Sequence, residues 1–481
     1  MGSDQTHRPI VETLLAYRAE DPLRMHIPGH KGGRGDSFLG EIIHPSLDLT
    51  EVSGLDDLGV PTGAIARAQE LAAAFFGSDH AFFLVNGCTA GIQALCLATV
   101  RPGEEVILPR NVHRAILGGM ILAGAIPVFL SAREASGWPF TLPPSADEVA
   151  AAISRHPRAV AVWMVHPDYH GVASDLEDIS ALVHRRGLTL LVDEAHGSHF
   201  GLHPDLPPSS LILGADACVK GMHKTGGALT QAAVLCLRGE RVEAGRVARH
   251  LALLQTSSPS YLLLASLDAA RSWLATEGTA RAAGLLTTVR EVRVEIGGIP
   301  GMRCLGAGDL PPEVRFLDES RLCLDVGGLG LTGTEAEGIL RRVHGVQVEY
   351  AYFRYLLVVF TLADTRRDGA RFANALHGLA SGVRDLIPGV EGTERFPSWP
   401  GLPSAKLSPR EAFLAPSRLV PEEEGVGKIA AVAVVPYPPG IPLFWPGEEI
   451  TPDALSYLCK AREVGIGLQG IREPGWLEVC A

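Results

Sequence analysis

Three side chains of reactive type stand just past apolar runs in this 481-residue chain. Lys224 lies in KGMHKTGGALTQ (220–231), after the run Ala215 to Val219. A lysine amine that is desolvated or crowded by cations deprotonates readily and forms Schiff bases. A phosphate clamp and a solvated loop lysine are the other readings of that position. Asp193 ends LTLLV and opens DEAHGSHFGLH (193–203). Asp193, His196, His199 and His203 invite a metal reading. Their spacing is not H-E-x-x-H, and Gly197 and Gly201 interrupt any helix that would align them, so no metal is expected. His113 follows EVILP in PRNVHRA (109–115).

The elements around these residues form a regular cycle. From about Ile65, helical periods alternate with AFFLV, EVILP, IPVFL, AVAVWMV and LTLLV. Such runs are apolar throughout, as strands covered on both faces are. The alternation predicts an α/β fold with a mostly parallel sheet. Ligands bind beyond the carboxyl ends of such strands. Five polar clusters fall there: Asn86 to Gly91, Arg110 to His113, His166 to Gly171, Asp193 to Gly197 and Gly221 to Lys224. NGCTAG places small residues at a helix start, where free N–H groups and the helix dipole can hold a phosphate. It lacks the spacing of a P-loop, and an ordinary N-cap is the plain alternative. A carboxylate for a pyridinium nitrogen, together with a Schiff-base lysine, is the pairing expected around pyridoxal phosphate.

Downstream, helices are expected over 243–254, 260–277 and 279–296, the last ending at Gly297-Gly298. The order β, α, β, β, α over 321–385 suggests a smaller α+β unit. The strand Ile429 to Val435, the loop PYPPGIP (436–442) and a helix over 452–463 follow. The expected division is an N-terminal segment 1–50, a large cofactor-binding domain 51–298, a small α+β domain 299–395 and a C-terminal domain 396–481.

Composition bounds the function. With 46% hydrophobic residues the chain reads as a well-buried globular protein and not as a disordered one. A net charge of −12 argues against bulk nucleic-acid binding. The eight cysteines are scattered, without C-x-x-C pairs, and read as reduced thiols. No basic region followed by an apolar stretch opens the chain, and no uninterrupted apolar run reaches the roughly 18 residues of a spanning helix. The expectation is a cytoplasmic protein without membrane or nucleic-acid partners.

Nine stretches together resemble the bacterial ornithine/lysine/arginine decarboxylases, pyridoxal-phosphate enzymes of fold type I. They are MHIPGHKGG (25–33), LTEVSGLDDLGVPTGAIARAQELAA (49–73), VNGCTAGIQA (85–94), PRNVHRA (109–115), HPDYHGV (166–172), VDEAHGSHFG (192–201), HKTGGALTQ (223–231), TSSPSYLLLASLDAAR (256–271) and PYPPGIPLFWPGE (436–448). The resemblance implies an aspartate-aminotransferase-like large domain built on a sheet of seven-stranded type, with smaller α+β domains after it. It implies that Lys224 holds the cofactor covalently, Asp193 pairs with the pyridine nitrogen, His113 stacks on the ring and Ala195 packs on its other face. Cys88, Thr89 and Ala90 would wrap the phosphate, helped by His223. His196 would lie beside the phenolic oxygen or the substrate. Thr256 and Ser257 would reach a partner subunit's phosphate, so a homodimer with shared active sites is implied.

Two departures stand out. Gly221 replaces the family's serine three residues before the lysine, which removes a phosphate hydroxyl and predicts weaker cofactor affinity. Cys88-Thr89-Ala90 replaces Ser-Thr-Ser. The chain also starts close to the core, without the flavodoxin-like wing of large members, so wing-dependent decamers are not expected. The implied reaction is α-decarboxylation of a basic L-amino acid, arginine or lysine before ornithine, in polyamine metabolism. Lys224 or His196 would return the proton to Cα. Asp56, Asp57 and Glu448 are candidates for the substrate's distal cation, with structural capping as the alternative. Transamination, aldol-type cleavage and non-catalytic cofactor binding are the rival readings.

Overall fold

The computed structural model describes residues 4–34, 39–131, 133–138, 140–384, 399–437, 440–463 and 465–481. The expected boundary at 395/396 and Pro438-Pro439 of the 436–442 loop lie outside them. The chain enters through helix α1 (Pro9–Glu20), with proline at its first helical position, where a missing N–H costs nothing. Ile10 and Leu14, one turn apart, bury its inner face.

The βα cycle then runs as expected: α2 (Ala64–Phe76), β1 (His80–Leu84), α3 (Gly87–Thr99), β2 (Glu105–Pro109), α4 (Arg114–Ala123), β3 (Ile126–Leu130), α5 (Ala146–Arg155), β4 (Ala159–Val165), α6 (Leu176–Arg185), β5 (Thr189–Glu194), β6 (Ala217–Lys220) and β7 (Ala233–Leu237). The sheet order is β1-β7-β6-β5-β4-β2-β3. Every pairing is parallel except those of β7, which runs antiparallel between β1 and β6. The six co-directional strands therefore end on one edge. Asp193 sits at that edge, level with Val165 of β4 and Val219 of β5's other neighbour. The inner strands are buried on both faces between two apolar clusters, which explains their unbroken apolar runs, while the edge strand β3 is half-buried.

After α7 (Ala244–Leu254), the structure departs from the sequence reading. Residues 261–297 form one helix, α8 (Tyr261–Gly297), rather than two. Gly278 does not break it. A Cβ there would meet Leu202 carbons at 3.0 and 3.1 Å, so the glycine admits a close-packed neighbour. Arg271 of α8 donates to the carbonyls of Gln5 and His7 and to buried Asp268. Further along, Arg293 donates to the carbonyls of Leu305, Glu319 and Arg321.

A second, antiparallel sheet follows: β8 (Arg303–Cys304), β9 (Arg321–Asp325), β10 (Tyr350–Tyr352) and β11 (Tyr355–Val359), in the order β8-β9-β11-β10. Helices α9 (Gly333–His344) and α10 (Arg366–Arg384) complete it. Between the two sheets, Phe316 and Leu317 pair with Ala173 and Val172 in a separate two-stranded sheet. Asp318 also donates its N–H to the Gly171 carbonyl at 2.8 Å.

The last part holds β12 (Ser417–Pro421), β13 (Val435–Tyr437), α11 (Pro452–Glu463), β14 (Gly467–Gln469) and β15 (Trp476–Cys480). Pairing is β12 with β15 and β13 with β14. The strand expected over 429–435 is not continuous. Ala430, Ala431 and Val434 donate to Glu448, Glu478 and Phe444 in turn, so the apolar run threads between three partners.

Candidate active site

All five expected strand-end clusters open onto one cavity of about 720 Å³. Lys224, Asp193, Ala195, His196, His113, Cys88, Thr89 and His223 line it. Ala90 is buried in the first turn of α3 and is not part of the lining. Thr256 and Ser257 are exposed and also outside the lining. The Thr256 N–H donates to Asn86 Oδ1 at 3.3 Å, which ties the segment to the start of α3.

Lys224 follows β6 on a single helical turn, Met222 to Thr225. Its Nζ lies 2.8 Å from His196 Nε2. Burial lowers its pKa and Arg321 adds to that, while Asp193 and Glu349 work in the opposite direction. His196 is held well below an ordinary histidine, first by burial and then by Lys224 and Arg321. Its Nδ1 lies 3.1 Å from an Nη2 of Arg321, and Tyr169 meets its ring edge-on at 4.8 Å.

Asp193 is buried, and its Oδ1 accepts the Ala195 N–H at 3.1 Å. No ion pair to its carboxylate occurs among the described residues. His113 caps α4: its Nδ1 accepts the Ala115 N–H at 3.2 Å. Desolvation lowers its pKa, Asp193 raises it and Lys224 lowers it. His223 donates from Nδ1 to the Ala232 carbonyl at 3.0 Å. The Cys88 thiol is pushed up to about 12 by burial and by Asp193, so it adds no negative charge at the helix start. Asn86 makes no side-chain cap to α3, which leaves that helix's first N–H groups for an anion.

Gly221 has a steric reason. A Cβ at that position would lie 2.5 Å from the Ala195 carbonyl oxygen. With this backbone the loop after β5 has closed over the place of the family's serine.

The expected distal-cation residues are engaged elsewhere. Asp56 accepts the N–H groups of Asp57, Thr62, Gly63, Ile65 and Ala66, and so fixes the loop that starts α2. Glu448 is bound on both oxygens by buried Arg110. Asp57 is exposed, accepts the Gly59 N–H and does not line the cavity. Sequence reasoning did not find Arg321 and Glu349, which reach the cavity from the second sheet. Glu349 Oε1 accepts the Tyr169 hydroxyl. Phe140, Tyr169, His170 and Tyr437 form an aromatic wall beside it, with Phe140 and His170 stacked at 4.4 Å. His199, one of the residues that invited the metal reading set aside above, lies 3.1 Å from buried Asp318.

Sheet order, crossover pattern and the lysine–carboxylate cavity define the class as fold type I pyridoxal-phosphate enzymes. The chain superposes on the lysine decarboxylase LdcF of Francisella novicida with a TM-score of 0.84 and 18% identity, over 98% of this chain and 81% of that one. Residues 8–307 match the family described as "Orn/Lys/Arg decarboxylase, major domain", and residues 394–473 match its C-terminal domain. The arginine decarboxylase of Bacillus subtilis (strain 168) is 38% identical over 472 residues, 97% of this chain and 96% of that protein. The arginine decarboxylase of Halalkalibacterium halodurans is 38% identical over 477 residues, with the same coverage. The chain belongs to the Orn/Lys/Arg decarboxylase family. It is a carboxy-lyase that decarboxylates basic amino acids with pyridoxal phosphate. The residues present fit that cofactor: an amine of lowered pKa, a buried carboxylate without an ion pair among the described residues, and a helix start without a side-chain cap. Among the described residues no helix is long and apolar enough to cross a membrane.

Proposed function

We propose that the chain is an arginine decarboxylase that converts L-arginine to agmatine and carbon dioxide, a step toward polyamines in the cytoplasm. The observation that carries this reading is the cavity, where Lys224 and Asp193 face Glu349 and an aromatic wall. A flat guanidinium suits that wall, because it stacks on aromatic faces and binds carboxylates at two points. The relatives named arginine decarboxylase, similar over nearly the whole chain, support the same substrate.

Bound pyridoxal phosphate supplies the electron sink for the pair released when the Cα–carboxylate bond breaks. The chain's own residues do the rest. Lys224 would hold the cofactor covalently, and Asp193 would keep its ring nitrogen protonated. His113 and Ala195 would lie against the ring. The N–H groups of Cys88, Thr89 and Ala90, with the Thr89 hydroxyl and His223, would receive the phosphate. Lys224 Nζ and His196 Nε2, at 2.8 Å, can exchange a proton, and one of them returns it to Cα. Glu349 receives the substrate's distal cation. Thr256 and Ser257, exposed beside Asn86, serve the neighbouring site of a homodimer. The division into 51–298, 299–395 and 396–481 belongs to the same reading; the seven-stranded sheet lies wholly within the first span.

Product chromatography with arginine, lysine and ornithine in competition tests this. Agmatine as the main amine is expected. Cadaverine or putrescine in its place overturns the substrate, and keto-acid formation without carbon dioxide overturns the reaction.

A further inference from the structure

The contacts of His196 on its two ring nitrogens fix more than its position. A guanidinium can only donate hydrogen bonds. Arg321 Nη2 lies 3.1 Å from His196 Nδ1, so Nδ1 must be the accepting nitrogen. The proton of the neutral ring is then on Nε2, which lies 2.8 Å from Lys224 Nζ. A ring N–H cannot accept, so the bond is satisfied only if the lysine nitrogen accepts with its lone pair. An ammonium there would meet Nε2–H as donor against donor. The opposite tautomer would turn Nδ1–H against the guanidinium.

We propose that Arg321 is a positioning residue that locks His196 in its Nε2–H tautomer and thereby holds Lys224 as the uncharged amine. The inference rests on the reading of Lys224 as the residue that binds the cofactor. It gives that lysine the protonation state needed to attack a carbonyl carbon, where the C=N bond forms and water leaves.

Arg321 is placed to act as a fixed donor. It is buried, and its carbonyl is held by Arg293 at 3.0 Å. Its stem lies against Gly171 (φ +91), where a Cβ would come within 2.9 Å of the arginine's Cβ and Cγ. Its Nε is 3.8 Å from Asp318 Oδ2. Other charged and titratable groups surround Lys224: Cys88 from α3, His113 from the start of α4, Asp193 from β5 and Glu349 from the approach to β10. His223 stands beside it in the chain. Asp193 and Glu349 favour the ammonium; burial and the Arg321 charge oppose them, and the tautomer lock adds to that opposition.

Nitrogen NMR of ring-labelled histidine in the cofactor-free full chain reads the tautomer directly, with His196 assigned by the loss of its signals in His196→Gln. A protonated Nε2 and bare Nδ1 are expected; a protonated Nδ1 or an imidazolium overturns the proposal. Cyanate, which adds to a free amine without a leaving group, reads the lysine. The half-maximal pH for carbamylation of Lys224 is expected below that of an ordinary exposed lysine. Arg321→Met should raise it. His196→Phe should raise it as well, and the double variant should go no further than Arg321→Met alone. Independent, additive shifts would mean simple charge repulsion and overturn the lock. Arg321→Gln replaces the methionine variant if that one does not fold. A Lys224 that titrates low yet binds no pyridoxal phosphate would overturn the functional reading and leave this inference standing.

Discussion

Arg110 and Glu448 are 338 residues apart in sequence and are joined by paired hydrogen bonds of 2.6 and 2.8 Å inside the protein. Arg110 also donates to the carbonyls of Pro442 and Leu443 and stands over the Phe129 ring at 4.6 Å. Asn111 to Arg114, the next turn of chain, line the active cavity. The C-terminal part therefore grips the loop that carries His113. Glu448→Ala leaves a buried guanidinium uncompensated, which costs about 3–5 kcal/mol. Urea unfolding checks this; a loss below 1 kcal/mol would refute it.

Glu349→Gln should raise KM for arginine by about 10- to 100-fold, the value of a hydrogen bond to a charged group. The kcat should change little, since the contact is remote from Cα. Steady-state kinetics decide, and an unchanged KM would remove Glu349 from the substrate site.

Asp193→Asn replaces the cavity's buried carboxylate with a neutral amide. It is expected to lower kcat by about 10²- to 10³-fold, as loss of one preorganised electrostatic partner does. The variant should still bind the cofactor to Lys224, followed by its visible absorbance. Retained activity would contradict the role given to Asp193.

Gly221→Ser would restore the family's hydroxyl in sequence, but the Ala195 carbonyl occupies the space for its Cβ. We expect overpacking to cost about 1–3 kcal/mol. Cofactor affinity should fall. Thermal melts and cofactor titration read both effects, and tighter binding at unchanged Tm is the outcome that defeats the steric explanation.

His166 and His196 both have pKa values held below the ordinary 6.5, mainly by burial. The unfolded chain therefore binds more protons than the folded one as pH drops below about 6.5. Stability present above that pH is lost between it and the lower folded values. Tm measured from pH 8 to 5 should fall on the acid side, and His166→Gln should flatten that fall. A profile that stays level to pH 5 would refute it.

Much of the site was legible because of how parallel sheets work. Residues that follow successive strands share one edge, so Asn86, His113, Asp193, His196 and Lys224 could be grouped without coordinates. Arg321 and Glu349 escaped for the same reason. They come from a different sheet, and an arginine opening a strand carries no local mark of its destination. Asp56 and Glu448 misled because a carboxylate in a family motif reads alike whether it binds substrate, caps a helix or neutralises an arginine. The division expected between 277 and 279 is not made because Gly278, inside a helix, serves a neighbour's packing rather than the backbone's freedom.

Helix α8 carries one further consequence. Arg271 near one end fastens Gln5 and His7, and Arg293 near the other fastens the strand that begins with Arg321. At 1.5 Å per residue the two are about 33 Å apart. One inserted residue between them would swing Arg293 around the axis by about 100° and off its three carbonyls. The helix is a spacer of fixed length and fixed phase, so the contacts at its two ends leave no room for an insertion or deletion between Arg271 and Arg293.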